Sequence, residues 1–532
     1  MLKLKIYNDY TLLDYSDKSL YSFIRSTLSY QVPSAEYSDK FKTGHWDGTI
    51  SLYDGRNKRF PSGLTTFLIE NLENSSIKYQ VSDHRIVPTP AKKYHANYGA
   101  RTLRDYQILG PQLIKQHGRG ILAYATGSGK TLTLCEIITQ LNVTPIFIVV
   151  PGISLLKQTA KEIENIISEK QSNIKVGRVG GGIFELFKDG INVCTYQSAL
   201  AAYNYKFVES KNQLIYDENS GDNVKKTVPQ LKEELKNAEK QQYKKLISKI
   251  QNQILNKEKS IANKQKLQDI IELSQCLIID ECHLASEIIE FISLKAVNAY
   301  YKIGTSATPM RTDNQEIRIE GAIGRILHVV SSSELIQRDI LCKPTILMFK
   351  LDSKSDNIGY QQCYNQCVVH NELRNNIIKQ VAEYCFEHNT PTVILVERIE
   401  HGEILSKMIN NSVFIPGKSK SPDDDDPSDE ELDYRQKMLK KLANNEHILI
   451  ATQWIYTGID CPPMQCLILG GSSSSPITTF QQVGRVLRKS DETNKQFALI
   501  IDFYDYNKYL RKHSANRKKT YLIEKEYDLR II

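Results

Sequence analysis

One stretch constrains this chain more than any other: Ala125–Thr131, reading ATGSGKT. It follows a short apolar run, Gly120–Tyr124, with the character of a strand end, and precedes Leu132–Leu141, which has helical composition. A Gly-rich turn between strand and helix points backbone N–H groups and a helix N-terminus at one spot, which favours a polyphosphate. Thr126, Gly127, Ser128 and Gly129 would form the cradle, Lys130 would reach the β- and γ-phosphates, and the Thr131 hydroxyl would ligate Mg2+. The usual GxxxxGK(S/T) pattern places Gly at position 124, where this chain has Tyr124. A Gly/Ser loop carrying Lys-Thr by coincidence would look similar, but strand, turn and helix come here in the required order.

A chain of 532 residues has room for about three domains, and an apolar share of 41% is enough for sizeable cores. The net charge of +8 is modest for this length and points toward a polyanion without establishing one. No run approaches the roughly 18 apolar residues of a membrane span, and the start, MLKLKIYNDY, does not read as a signal peptide. No membrane partner is therefore expected, and the expected location is cytosolic. The ten cysteines lack CxxC pairs; Cys363 and Cys367 stand four apart without a matching second pair. They read as small core residues.

Residues 1–92 read as a small α+β domain, a probe for DNA beside the main body. Leu2–Tyr7 alternates like a strand and Ser19–Leu28 is helix-like. In Phe41–Asp54 (FKTGHWDGTISLYD), Gly44 and Gly48 bracket Trp46, which either plugs the turn or stacks on a base. FPSG (Phe60–Gly63) marks another turn, and Pro88–Pro90 a linker. From Ala100 strands alternate with helices, the mark of a parallel α/β sheet, with strands expected at Gly120–Tyr124, Pro145–Pro151 and Ile191–Tyr196. The alternation stops after Tyr203. Asp217–Val228 reads as a polar loop, and Pro229–Leu273 carries one helical apolar stripe. That insertion, about 204–273, is either one long helix or a helical hairpin broken near Asn263, serving as a solvated protrusion or as an arm for DNA or a partner. Strands resume at Cys276–Glu281 and Lys302–Thr305. A second block, 341–505, begins near Pro344, with strands at Pro391–Val396, Glu446–Ala451, Gln465–Leu469 and Gln496–Phe503. It is interrupted by the acidic, solvated Ser419–Leu432 loop. Residues 506–532 form a basic tail whose Tyr509–Thr520 would suit phosphate contact.

Asp280-Glu281-Cys282-His283 closes an apolar strand 150 residues after Lys130. In a phosphate-loop enzyme one such carboxylate, Asp280, holds Mg2+ and the next, Glu281, activates the attacking water. Ser306 and Thr308, in the hydroxyl-rich turn Thr305–Pro309, are placed to bond Asp280 or His283. In LRDYQ (Leu103–Gln107) the Gln107 amide can face an adenine edge. Gln481–Arg488 (QQVGRVLR) puts Arg485 and Arg488 three apart on one helical face, suited to a γ-phosphate.

The series LRDYQ, ATGSGKT, IVVPGISLLKQ, TYQS, DECH, TSATP, ILVERIEHG, ATQWIYTGID and QQVGRVLR, over about residues 100–505, resembles the superfamily-two helicases. The resemblance implies two tandem RecA-like parallel-sheet domains, 93–340 and 341–505, with ATP and Mg2+ in the cleft. It implies nucleotide contacts from Arg104, Gln107, Gly458, Asp460 and Gln481. It also implies coupling through His283, Ser306 and Thr308, and nucleic-acid contacts from Pro151, Gln158, Thr195, Gln197, Arg398 and Thr452. Loops of that superfamily commonly lack the first Gly, which accounts for Tyr124. GHWDGTISL, FPSGL and HSANRKKTY are similar to the phage UvsW-type recombination and repair helicases. That similarity implies an ATP-dependent DNA helicase acting on branched or forked DNA, with RNA in R-loops as a further substrate, working as a monomer in the host cytoplasm. Two features depart from the family: the long Tyr203–Leu273 link and the acids at Asp423–Asp426.

Overall fold

Aliphatic runs without polar alternation form strands covered on both faces. Ile146–Val150 (IFIVV) and Cys276–Asp280 (CLIID) are buried at every position. The structure, a computed structural model, describes residues 1–532 apart from 33–34, 171, 209–212, 217–227, 241–243, 285, 308–315, 353–358, 418–428, 453–462, 474, 491–494 and 508. The chain forms two compact units, one of residues 1–122 with 131–328 and one of residues 123–130 with 329–532.

In the first unit an eight-stranded sheet runs in the order Ile183–Glu185, Gly177–Gly180, Ile191–Thr195, Ile146–Val150, Cys276–Asp280, Tyr301–Ser306, Arg119–Tyr124, Ile326–Val330. Its central pairings are parallel, and Ile183–Glu185 adds an antiparallel edge. Ahead of it, Leu2–Ile6 pairs with Tyr10–Asp14 and, in parallel, with Tyr79–Asp83, enclosing a small core of Leu2, Leu4, Leu13, Ile24, Leu64 and Leu68. This N-terminal module is docked tightly on the sheet. A Cβ at Gly63 would lie 2.0 Å from the Glu320 backbone oxygen, so only glycine fits where the FPSG turn meets the helix Glu316–Ile323. The almost fully buried Arg119 donates to Ser62 Oγ at 2.6 Å and to the Asn8 carbonyl. Within the module, the half-buried Trp46 donates its indole N–H to Thr49 O at 2.7 Å.

The insertion is a hairpin of helices Val228–Lys240 and Lys244–Leu273, closed on Leu231, Ile250 and Ile254. Folding back hides the apolar stripe that a single helix would leave in water. Asn263 lies inside the second helix, so the chain does not break there as expected; residues 241–243, between the two helices, lie outside the described residues. The second helix roots in the sheet's core: Leu267, Ile270 and Ile271 pack with Ala199, Leu200 and Ala202.

In the second unit seven strands are all parallel, in the order Ser412–Ile415, Ile448–Ala451, Thr392–Leu395, Cys466–Leu469, Phe497–Asp505, Lys343–Leu351, Asp528–Ile531. Residues 506–532 are therefore not a tail. Leu510–Ile523 is a helix, and Asp528–Ile531 completes the sheet against Lys343–Leu351. Arg517, expected among the exposed basic residues, is buried on Asp502, which it meets at 2.9 Å through Nε, and it also donates to Ser473 O at 2.7 Å. The acids at 423–426 and the polar stretch 217–227 lie outside the described residues.

Candidate nucleotide site

Six buried residues, Arg119–Tyr124, deliver the chain to the loop. Tyr124, the departure from the Gly pattern, is 1% exposed and serves as the strand's last core side chain. Gly127 and Gly129 then take left-handed backbone angles (φ +86° and +84°) on either side of the fully buried Ser128, and the helix Lys130–Leu141 begins at once. Other residues would be strained at those two angles. The turn thus leads from strand to helix within a few residues, with Ser128 N donating to the Ala125 carbonyl at 3.2 Å.

Within the second unit this loop is seated on the arginine segment. A Cβ at Gly484 would meet Thr126 Cβ at 2.8 Å, and one at Gly127 would meet Leu341 Cδ2 at 2.8 Å and Arg488 Cγ at 3.5 Å. Gly484 and Arg485 belong to the helix Pro476–Val486, which Ser475 caps by accepting from Thr478 N. Arg488 follows it, bridged antiparallel to Leu341. Gln481, Arg485 and Arg488 are half-buried there. The loop leading into this helix is fixed from behind by His513 Nδ1, 2.8 Å from Ser472 O, and by Arg517. Gly484 is a residue that sequence reasoning misses; a glycine in the last turn of a helix, between two glutamines and two arginines, is the available signal.

Within the first unit the DECH segment forms a bonded cluster. Thr305 Oγ1 donates to Asp280 Oδ1 at 2.6 Å, and His283 Nδ1 lies 2.7 Å from Ser306 Oγ and 3.4 Å from Glu281 Oε2. The hydroxyl-rich turn, expected to bond Asp280 or His283, bonds both, through Thr305 and Ser306 respectively. Glu281 sits in the left-handed region at φ +50°, a costly conformation for a residue with a side chain. Tyr196, in TYQS, donates its hydroxyl to Asp280 O at 2.5 Å. Burial pushes the Tyr196 phenol well above its ordinary pKa, so it stays a donor. The strands that carry Asp280 and lead into the loop share one sheet, with Tyr301–Ser306 between them.

Other expected contacts divide by accessibility. Gln107, 1% exposed, accepts at its amide oxygen from Arg104 N at 2.9 Å, capping the helix Asp105–His117. Thr195 caps Tyr196–Ala202 and Thr452 accepts from Gly417 N at 2.5 Å; both are buried, so their hydroxyls are occupied by their own backbone. Gln158 and Gln197 are exposed, and Pro151 is half-buried. Arg398 is bonded to Asn365 Oδ1 at 2.7 Å and lies over the Tyr364 ring. Thr308, Gly458 and Asp460 lie outside the described residues. No helix among the described residues is long and apolar enough to cross a membrane.

Residues 2–82 match the family described as DNA helicase UvsW, N-terminal, and residues 90–219 and 216–311 match type III restriction enzyme, res subunit. Each match covers less than half of the chain, and together they say what its N-terminal module and its first sheet block are similar to. The ATP-dependent DNA helicase uvsW of Enterobacteria phage T4 is 24% identical over 258 residues, 46% of this chain and 48% of that protein. A protein named as helicase 161L, of Invertebrate iridescent virus 6, is 30% identical over 265 residues, 48% of this chain and 56% of that protein. The solved structure of T4 UvsW aligns with 100% of this chain and 98% of its own, at 17% identity and a TM-score of 0.40. The chain spans about half the length of the curated relatives it matches.

Proposed function

We propose that this chain is an ATP-dependent DNA helicase that remodels branched DNA by fork regression, junction branch migration and R-loop unwinding, acting as a monomer in the cytoplasm of a phage-infected cell. The observation that carries the reading is the seating of Thr126 and Gly127 against Gly484 and Arg488. It unites a phosphate cradle with guanidinium groups suited to forked oxygen contact. Lys130 and the loop N–H groups hold the polyphosphate, Arg485 and Arg488 meet its γ end, and Glu281 takes the proton of the attacking water. Among the described residues no three His, Cys, Asp or Glu side chains cluster as a metal site. Thr131 and Asp280 would hold Mg2+, which would supply neutralisation of phosphate charge. Hydrolysis releases the loop's hold on the arginine segment, and each cycle advances the chain along a strand. Backbone grips carry no base code, so little sequence preference is expected.

The test is ATP turnover with and without forked or Holliday-junction DNA, together with gel-resolved unwinding. Turnover indifferent to DNA, or branched substrates left intact while ATP is consumed, sinks the proposal. Lys130→Ala should abolish hydrolysis, and turnover retained in that variant removes the nucleotide assignment. The match to a restriction-enzyme subunit over 90–311 supports a second reading, a double-strand translocase. Triplex displacement without strand separation would favour it.

A further inference from the structure

Tyr196 joins two parts of the molecule that the proposed function needs to communicate. Its hydroxyl donates to the carbonyl of Asp280, the oxygen of the peptide that joins Asp280 to Glu281, and lies 3.4 Å from the Glu281 carbonyl. That peptide sets the left-handed turn at Glu281 and therefore where its carboxylate sits, 3.4 Å from the buried His283. On its other side Tyr196 opens the helix Tyr196–Ala202, with Thr195 before it and exposed Gln197 after it. Thr195 is locked to the same turn: its Oγ1 accepts from Ser198 N at 3.2 Å and donates to Ser198 Oγ at 2.9 Å. Displacement of residues 195–198 therefore carries the phenol with it. The far end of this helix is held by the insertion, where Gln268 Nε2 donates to Ala202 O at 2.6 Å and Lys264 Nζ to Asn204 Oδ1 at 2.7 Å.

We infer that Tyr196 is a positioning residue that transmits strand engagement at Thr195 and Gln197 to Glu281 by holding the Asp280–Glu281 peptide. This rests on the proposed helicase reading. A tyrosine wanted only for packing would not need its hydroxyl on that carbonyl; phenylalanine would fill the same 5%-exposed position.

The experiment uses the full chain and Tyr196→Phe, which keeps the ring. ATP kcat and KM are measured with and without forked DNA, DNA affinity by fluorescence anisotropy, and Tm by calorimetry. Expected is a loss of about tenfold in the DNA-dependent rise in kcat, the scale of one buried hydrogen bond acting in the transition state. KM for ATP and DNA affinity should stay at the wild-type values. Full stimulation in Tyr196→Phe overturns the coupling role while leaving the helicase reading intact. A rise in KM with a large drop in Tm overturns it in favour of packing. If the wild type itself ignores DNA, the helicase reading falls first and the coupling with it.

Discussion

Strands in both units end in carboxylates, and the two sets of ends are finished differently. Asp280 closes Cys276–Asp280 with a neutral hydroxyl from Thr305 and remains 9% exposed. Asp502 and Asp505, in Phe497–Asp505, are wholly buried and receive guanidinium groups from Arg517 and Arg374. Tyr521 adds a hydroxyl to Asp502 at 2.7 Å. A buried carboxylate needs its charge matched, because desolvation otherwise outweighs what its fold position returns. One held by a hydroxyl, with a small part of its surface still open, would keep charge to offer a cation or a proton. On the proposed function, a strand acid serves chemistry in one unit, while buried ion pairs make strand acids architecture in the other.

The largest expected effect on the chemical side is Glu281→Gln. The amide cannot take a proton, so ATP turnover should fall by about a hundredfold or more while nucleotide binding and Tm are kept. Loss of nucleotide binding in an equilibrium titration would move Glu281 to the architectural class. Arg517→Met tests the other side. Leaving Asp502 buried without its partner should cost about 3–5 kcal/mol, read as a shift in the urea midpoint. An unchanged midpoint would break the contrast. Smaller is Gly63→Val, which forces a side chain against the Glu320 carbonyl, 2.0 Å from any Cβ. Overpacking at such a contact costs about 1–3 kcal/mol, and limited proteolysis should release the 1–92 module faster. Equal resistance to protease would mean that the docking carries little of that module's stability.

Much of the architecture is legible in the residues. Nine expected strands, from Gly120–Tyr124 to Gln496–Phe503, appear within a few residues of their expected bounds, most of them built on apolar runs such as those of Pro145–Pro151 and Cys276–Glu281. Asp528–Ile531 escapes because it is short, with Asp528 and Arg530 breaking its apolar run, and its burial comes from Lys343–Leu351 far upstream. Leu510–Ile523 reads as a solvated basic segment because its buried face includes Arg517, and a buried arginine announces itself only through a distant acid. In the site, Lys130, Asp280 and the His283–Ser306 link are local enough to read. Gly484 and Tyr196 are not, since their meaning lies in contacts with Thr126 and Asp280. Thr195 and Thr452 carry a second role that their motifs do not announce: their hydroxyls cap a helix and tie a loop backbone.

The helix Lys244–Leu273 has a further consequence. Its 30 residues span about 45 Å, and its base is packed beside the strand that carries Asp280. Rotating such a rod by about 5° at the base sweeps its tip through about 4 Å along that length. Sub-ångström events around a nucleotide would thereby be enlarged to a scale that a pair of dyes can resolve. One label near Lys249, toward the tip, and one on the N-terminal module would show whether the rod turns with each ATP cycle, without touching a proposed catalytic group.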